Sequence, residues 1–176
     1  SEQDAYLMLH MLQGTVEEAG GTAQSLNWRW QLTQGDNEVG AKTGTTQNYS
    51  DGWFMGVTKD LVAGVWVGGD DRAIHFPSIK YGQGAYMALP IWADFMGKIT
   101  DQKGEEPFSR PPGIVEETVC LKSGMLATSG CDSLATEVFL PGNFPQDICD
   151  LHGGQLHDLQ GVGKDFQTLD RDDDEF

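Results

Sequence analysis

Apolar positions fall into distinct regimes along the chain, and each predicts a kind of element. Between Asp4 and Gly21, Ala5, Met8, Leu9, Leu12 and Val16 recur at three- and four-residue spacing, which predicts an amphipathic helix stopped by Gly20-Gly21. "SLNWRWQLTQGDNE" then reads as a strand or extended loop closed by a turn at Gly35-Asp36-Asn37, with Trp28 and Trp30 on one inward face. Three strands follow, over Glu38–Thr45, Asp51–Thr58 and Leu61–Gly68. The short "TKD" connection makes the last two an antiparallel hairpin. Trp53, Phe54 and Trp66 are expected in its core, because aromatic side chains dominate sheet packing. "GGDDRAIHFPSIKYGQG" is loop, and "AYMALPIWADFMGKI" is a second helix with Ile91, Phe95 and Ile99 as its inner stripe beside Trp92. Pro90 marks either a start or a kink of that helix.

Beyond Pro107, Pro111 and Pro112 the pattern loosens. Three regions are expected: 1–105 as a folded α+β part with an antiparallel sheet flanked by helices, 106–155 as a loop-rich, irregular extension with all three cysteines, and 156–176 as an acidic, disordered tail. At 176 residues the chain can bury a real core. Eleven basic against twenty-seven acidic residues give a formal charge of −16, which argues against nucleic acid or an anionic membrane surface as a direct partner. The run Leu61–Val67 is too short to span a bilayer, and the first residues read like the middle of a domain.

The candidate chemistry lies in "VGAKTGTTQNYSDGWFMGV". On a strand, Lys42 and Gly44 share a face, with the hydroxyls of Thr43 and Thr45 along its edge. One cation in a groove kept open by glycine suits an extended ligand that ends in a carboxylate. A phosphate loop is the rival reading of "GDNEVGAKT", but Ala41 separates Gly40 from Lys42, Asp36 and Glu38 would repel phosphate, and a strand follows where that motif needs a helix.

With those residues in hand, "GAKTGTTQNYSDGWFMGVTKDLVAGVWVGGDD" resembles the transpeptidase domain of the class A, bifunctional, penicillin-binding proteins. The similarity extends upstream to "GGTA", through "ALPIWADFM", and more loosely into "RPPGIVEETVCLKSGMLATSGC". The resemblance implies a peptidoglycan D,D-transpeptidase outside the cytoplasmic membrane, with an anchor and a glycosyltransferase domain elsewhere in the parent protein. It implies the D-Ala-D-Ala stem peptide as substrate, β-lactams as inhibitors, and no cofactor. Lys42, Thr43, Gly44 and Thr45 would be substrate-binding residues, with Lys42 and the Thr45 backbone N–H, half of an oxyanion hole, as the catalytic ones. The family's nucleophile motif, Ser-x-x-Lys, has no match here; Ser78, in "SIKY", comes nearest. "SLN" at Ser25–Asn27 copies the second motif by letters but lies too near the lysine, and is read as structural. The chain is therefore expected to carry one wall of the site without its serine, and to be inactive alone. A D,D-carboxypeptidase or β-lactamase-like enzyme and a non-catalytic binding module are the alternatives.

Cys120, Cys131, Cys149 and His152 could form a zinc set, but no pair of cysteines has the C-x-x-C spacing. A protein outside the cytoplasm favours a disulfide, so a Cys131–Cys149 bridge is expected, with Cys120 left over and no metal. His75 and His10 carry no assignment.

Overall fold

The computed structural model describes residues 1–33, 37–103 and 107–154. Its elements are α1 (Glu2–Glu17), α2 (Ser25–Trp28), β1 (Gly40–Thr45), β2 (Asp51–Val57), β3 (Val62–Gly68), α3 (Ile79–Gly82), α4 (Gly84–Met87), α5 (Leu89–Lys103), β4 (Val115–Cys120) and β5 (Leu134–Phe139). They divide into two units, Ser1–Ile114 and Val115 onward.

The first unit is built on an antiparallel sheet in the order β1-β2-β3. Register runs from Gly40 opposite Val57 to Thr45 opposite Gly52, and from Asp51 opposite Gly68 to Val57 opposite Val62. One face carries Ala41, Phe54 and, more peripherally, Ala63 and Val65, packed with Leu89, Trp92, Ala93 and Met96 of α5. Trp92 is fully buried, meets Phe54 edge-on at 5.2 Å between ring centroids, and donates its indole N–H to the Ala63 carbonyl at 3.0 Å. A side chain at Gly56 would run into the Trp92 ring, so close approach explains that glycine.

The stripe of α5 differs from the one expected. Ile91 and Phe95 are half exposed and only Ile99 of the three packs against the core. Leu89, Trp92, Ala93 and Met96 together set the inward direction, and positions 91 and 95 sit roughly 150° and 110° from its centre around the helix. Pro90 lies in the first turn of α5, so it starts the helix without kinking it.

α1 begins with a reciprocal capping box between Ser1 and Asp4, and Gly20, at φ +89°, turns the chain away beyond its end. Val16 is buried and Leu9 and Leu12 partly so, but Ala5 and Met8 are exposed, which shortens the expected inner stripe. The Thr15 hydroxyl donates to the Ala41 carbonyl at 2.8 Å and moors α1 to β1. The stretch expected to be extended forms α2 instead: Ala23 and Leu26, a helical turn apart, are both fully buried. Trp28 is exposed, and Trp30 is partly buried with its N–H donated to Asp94 at 3.0 Å. Gly35 and Asp36 of the expected turn lie outside the described residues.

Pro107, Pro111 and Pro112 belong to the first unit. The Phe108 amide donates to the Glu38 carboxylate at 2.6 Å, and the Gln3 side chain donates to the Pro112 carbonyl at 2.9 Å. The second unit pairs β4 and β5 antiparallel, Val115 opposite Phe139 through Cys120 opposite Leu134. Leu126 bridges both Val119 and Ile148, so the segment read as loop-rich carries a small ordered sheet. The acidic tail from 156 lies outside the described residues. Among those described, no helix is long and apolar enough to cross a membrane.

Candidate active site

β1 presents Lys42, Thr43, Gly44 and Thr45 as one edge strand, with β2 on its other side. The Thr46 amide donates to the Asp51 carbonyl at 3.0 Å, which fixes the phase of the ladder. Backbone groups alternate along an antiparallel pair, so those of Lys42 and Gly44 point toward β2 and those of Ala41, Thr43 and Thr45 point away from it. The Thr15 hydroxyl bound to the Ala41 carbonyl agrees with that phase. The Thr45 N–H thus faces the side of β1 on which an extended chain could lie.

Side chains follow the pleat. Lys42 and Gly44 share a face with their cross-strand partners Met55 and Trp53, and beyond them with Trp66 on β3. Trp53 and Trp66, expected in the core, are 49% and 44% exposed, whereas Phe54, next after Trp53 on β2 and opposite Val65, is fully buried. The alternation of β2 sends Phe54, with the flanking Gly52 and Gly56, to the buried face and Trp53 to the other. A side chain on Gly44 would lie 3.2 Å from the Trp53 Cβ, so this glycine spares the Trp53 contact as well as the groove around Lys42.

The Lys42 ammonium is exposed and donates to the Thr43 carbonyl at 2.7 Å. The Thr43 and Thr22 hydroxyls are 3.0 Å apart. The Thr45 hydroxyl oxygen accepts the Gly84 amide at 3.1 Å, which leaves its own hydrogen available to an acceptor. Gly84 packs so tightly that a side chain there would fall on the Gly44 and Trp53 carbonyls. Sequence reasoning passed over Gly84 as loop; the Gly82-Gln83-Gly84 pairing of glycines was the available signal. The connection from β1 to β2 is held by Ser50, whose hydroxyl lies 2.7 Å from the Asp51 carboxylate, and by Trp66, whose indole N–H donates to Asp51 at 3.2 Å. Ser25 and Asn27 sit on α2, where Asn27 accepts the Thr33 hydroxyl at 2.5 Å. The His75 ring lies against the neighbouring Phe76 carbonyl.

Residues 110–154 match the family described as penicillin-binding protein 1A, C-terminal domain. Penicillin-binding protein 1A of Clostridium tetani is 33% identical over 157 residues, which cover 88% of this chain and 19% of that protein. Penicillin-binding protein 1A of Aquifex aeolicus is 36% identical over 115 residues, 65% of this chain and 15% of that protein. The crystal structure of penicillin-binding protein 1A from Haemophilus influenzae superposes with a TM-score of 0.72 at 27% identity, over 84% of this chain and 22% of that one. The chain belongs to the class A penicillin-binding proteins. It spans about a fifth of the length of the relatives it matches, or less. Its antiparallel sheets and helices are those of that family's fold.

The second unit holds a different constellation. All three cysteines are free thiols, so the expected Cys131–Cys149 bridge is not formed. The sulfurs of Cys120, Cys131 and Cys149 and a ring nitrogen of His152 instead lie within 4.8 Å of one another. His152 Nδ1 is 3.3 Å from Cys149 Sγ and 3.6 Å from Cys120 Sγ. The Ser123 side chain brings the Cys149 thiol down to about 7 against the effect of burial, helped by the amides of Leu151 and His152. Burial opposes ionisation of Cys120, but hydrogen bonds from the Ser123 and Lys122 amides outweigh it and lower that thiol too. Burial pushes Cys131 up. The missing C-x-x-C weakened the zinc reading, and the setting outside the cytoplasm favoured a bridge; Cys149 and His152, separated by two residues, carry the equivalent local signal.

Proposed function

We propose that this chain supplies the lysine-bearing wall of a serine D,D-transpeptidase that cross-links peptidoglycan stem peptides on the outer side of the cytoplasmic membrane. The single observation behind this reading is the phase of β1, which turns the Thr45 N–H outward on a strand that carries Lys42 and Gly44 on one face. An acyl-D-Ala-D-Ala end laid along β1 would pair with its outward backbone groups. Its terminal carboxylate would draw the Lys42 ammonium off the Thr43 carbonyl and accept from the Thr43 and Thr45 hydroxyls. A serine outside this chain would attack the penultimate carbonyl, and the oxygen that gains charge would accept from the Thr45 N–H. One such donor contributes about 3 kcal/mol to the transition state. β-Lactams, which present a carboxylate and a strained carbonyl, would acylate the same serine.

The test is covalent labelling of the full-length parent by a fluorescent penicillin. Lys42→Ala should slow acylation about ten- to a hundred-fold, the worth of one charge-assisted hydrogen bond of about 1.5–3 kcal/mol. Lys42→Arg should retain part of the rate. Labelling of Lys42→Ala at the wild-type rate would remove Lys42 from the site.

A further inference from the structure

We propose that Cys120, Cys131, Cys149 and His152 bind one zinc ion in a closed, tetrahedral, structural site. This does not depend on the transpeptidase reading. The spacing of the donor atoms is the first reason. With Zn–S of about 2.3 Å and Zn–N of about 2.0–2.1 Å, a tetrahedral site places sulfur and nitrogen about 3.5 Å apart and sulfurs about 3.8 Å apart. The two measured S···Nδ1 separations are 3.3 and 3.6 Å, and all four donors fit within 4.8 Å. A disulfide would need sulfurs about 2.05 Å apart and would strand one of the three cysteines. Adding His152 makes four donors, the number that zinc takes from protein when no position stays open.

The surroundings of the donors are the second reason. His152 turns Nδ1 toward the sulfurs while its Nε2 lies 3.8 Å from one oxygen of Asp132, and the other oxygen accepts Lys122 Nζ at 2.8 Å. A carboxylate on the far side of a ligating histidine is the usual support of a metal-bound imidazole; at 3.8 Å Asp132 acts here through its charge, short of a hydrogen bond. The Thr128 amide donates to Cys131 Sγ at 3.3 Å, and the Thr128 hydroxyl lies 3.4 Å from the same sulfur. Gly124, at φ +72°, makes the tight turn after Cys120 and donates to its carbonyl at 2.7 Å. Amides aimed at sulfur stabilise the thiolates a metal requires. Three thiolates and one neutral imidazole around Zn²⁺ leave a charge of −1 beside the Lys122–Asp132 pair, and each bound thiol releases its proton to solvent.

Need is the third reason. The buried side chains of the second unit are small: Thr118, Val119, Cys120, Ala127, Thr128 and Cys149. None belongs to the large apolar cluster of the first unit. A segment of this size rarely folds on so little apolar burial, and a metal that ties the end of β4 to the 128–132 and 149–152 turns replaces the missing core. Thiolate and imidazole donors exclude magnesium and calcium as the occupant.

The chain is purified under reductant, stripped with a chelator and titrated with Co²⁺. The expected result is one cobalt per chain, a near-ultraviolet thiolate-to-cobalt charge-transfer band, visible bands of a tetrahedral ion, and displacement by one equivalent of Zn²⁺. His152→Cys should keep the site and raise the charge-transfer intensity by about a third, since four sulfurs replace three. Asp132→Asn, at an exposed position, should weaken cobalt binding about ten- to a hundred-fold with the spectrum unchanged. Failure of the reduced chain to give the charge-transfer band overturns the proposal. So does an intensity in His152→Cys equal to that of the wild type, or a Cys131–Cys149 disulfide in metal-free protein isolated without reductant.

Discussion

Thr45 does two jobs that separate by substitution. Its backbone N–H faces away from β2, and its hydroxyl oxygen receives the Gly84 amide at 3.1 Å. Thr45→Val keeps the first and deletes the second. It strands the Gly84 amide against strand carbonyls in a place too tight for a side chain, and an orphaned donor of this kind costs about 1–3 kcal/mol. Thr45→Ser retains the oxygen and should restore most of that loss. Chemical denaturation of the three proteins checks the order, with Thr45→Val the least stable. Equal midpoints for Val and Ser would mean that the Gly84 contact does not contribute. In the parent, Thr45→Val should lower penicillin labelling less than Lys42→Ala does, because the proposed oxyanion donor survives.

At the scale of the elements, α1 carries an electrostatic conflict. Burial, and then the nearby Glu38, raise the Glu17 pKa above 4.5, with His10 working in the other direction and Glu18 adding to the rise. The charge also sits at the C-terminal end of the helix, where the dipole disfavours an anion. A carboxyl whose folded pKa is raised favours folding only while protonated, so its cost to stability is absent below about 4.5 and grows as pH rises through the folded pKa. Glu17→Gln should therefore stabilise the protein at pH 7, by about half a kcal/mol or less after solvent screening, and the gain should vanish below about pH 4. A gain that is larger in acid would reverse the sign of this account. The same scale explains what the sequence reveals. β2 and β3 were readable because alternation is a local property of the chain, and Lys42 to Thr45 because the motif is contiguous. Which aromatic faces inward was not readable: Trp53, Phe54 and Trp66 look alike as residues, and only α5 decides that Phe54 is covered. The Ile91-Phe95 stripe failed for the same reason, since Leu89, Trp92, Ala93 and Met96 together set the face. The thiol cluster spans thirty-odd residues and needs β4 paired with β5 and Leu126 bridged to Ile148 before its donors meet.

For the whole molecule, chemistry and inventory have to be set against each other. A transpeptidase requires an activated serine, a base, an oxyanion hole and a carboxylate clamp. In the proposed reading this chain contributes the clamp and one oxyanion donor, both on β1. None of its serines has a lysine three positions on, so none has the base next to it on a helical turn that this chemistry uses. Ser50, the serine nearest in sequence to the lysine wall, is buried and engaged with Asp51, an arrangement that holds a turn and offers no path to a substrate. The isolated chain should therefore take up no fluorescent penicillin, even at concentrations that saturate the parent, and should release no D-alanine from an acyl-D-Ala-D-Ala peptide. Affinity without acylation should also be weak, because an edge strand open to water gives its hydrogen bonds little advantage over solvent. Mass spectrometry of the intact chain after incubation with penicillin reads the outcome directly. An added penicilloyl mass on any serine of this chain would show that it carries its own nucleophile. The division of labour argued from Lys42 and Thr45 would then have to be redrawn around that serine.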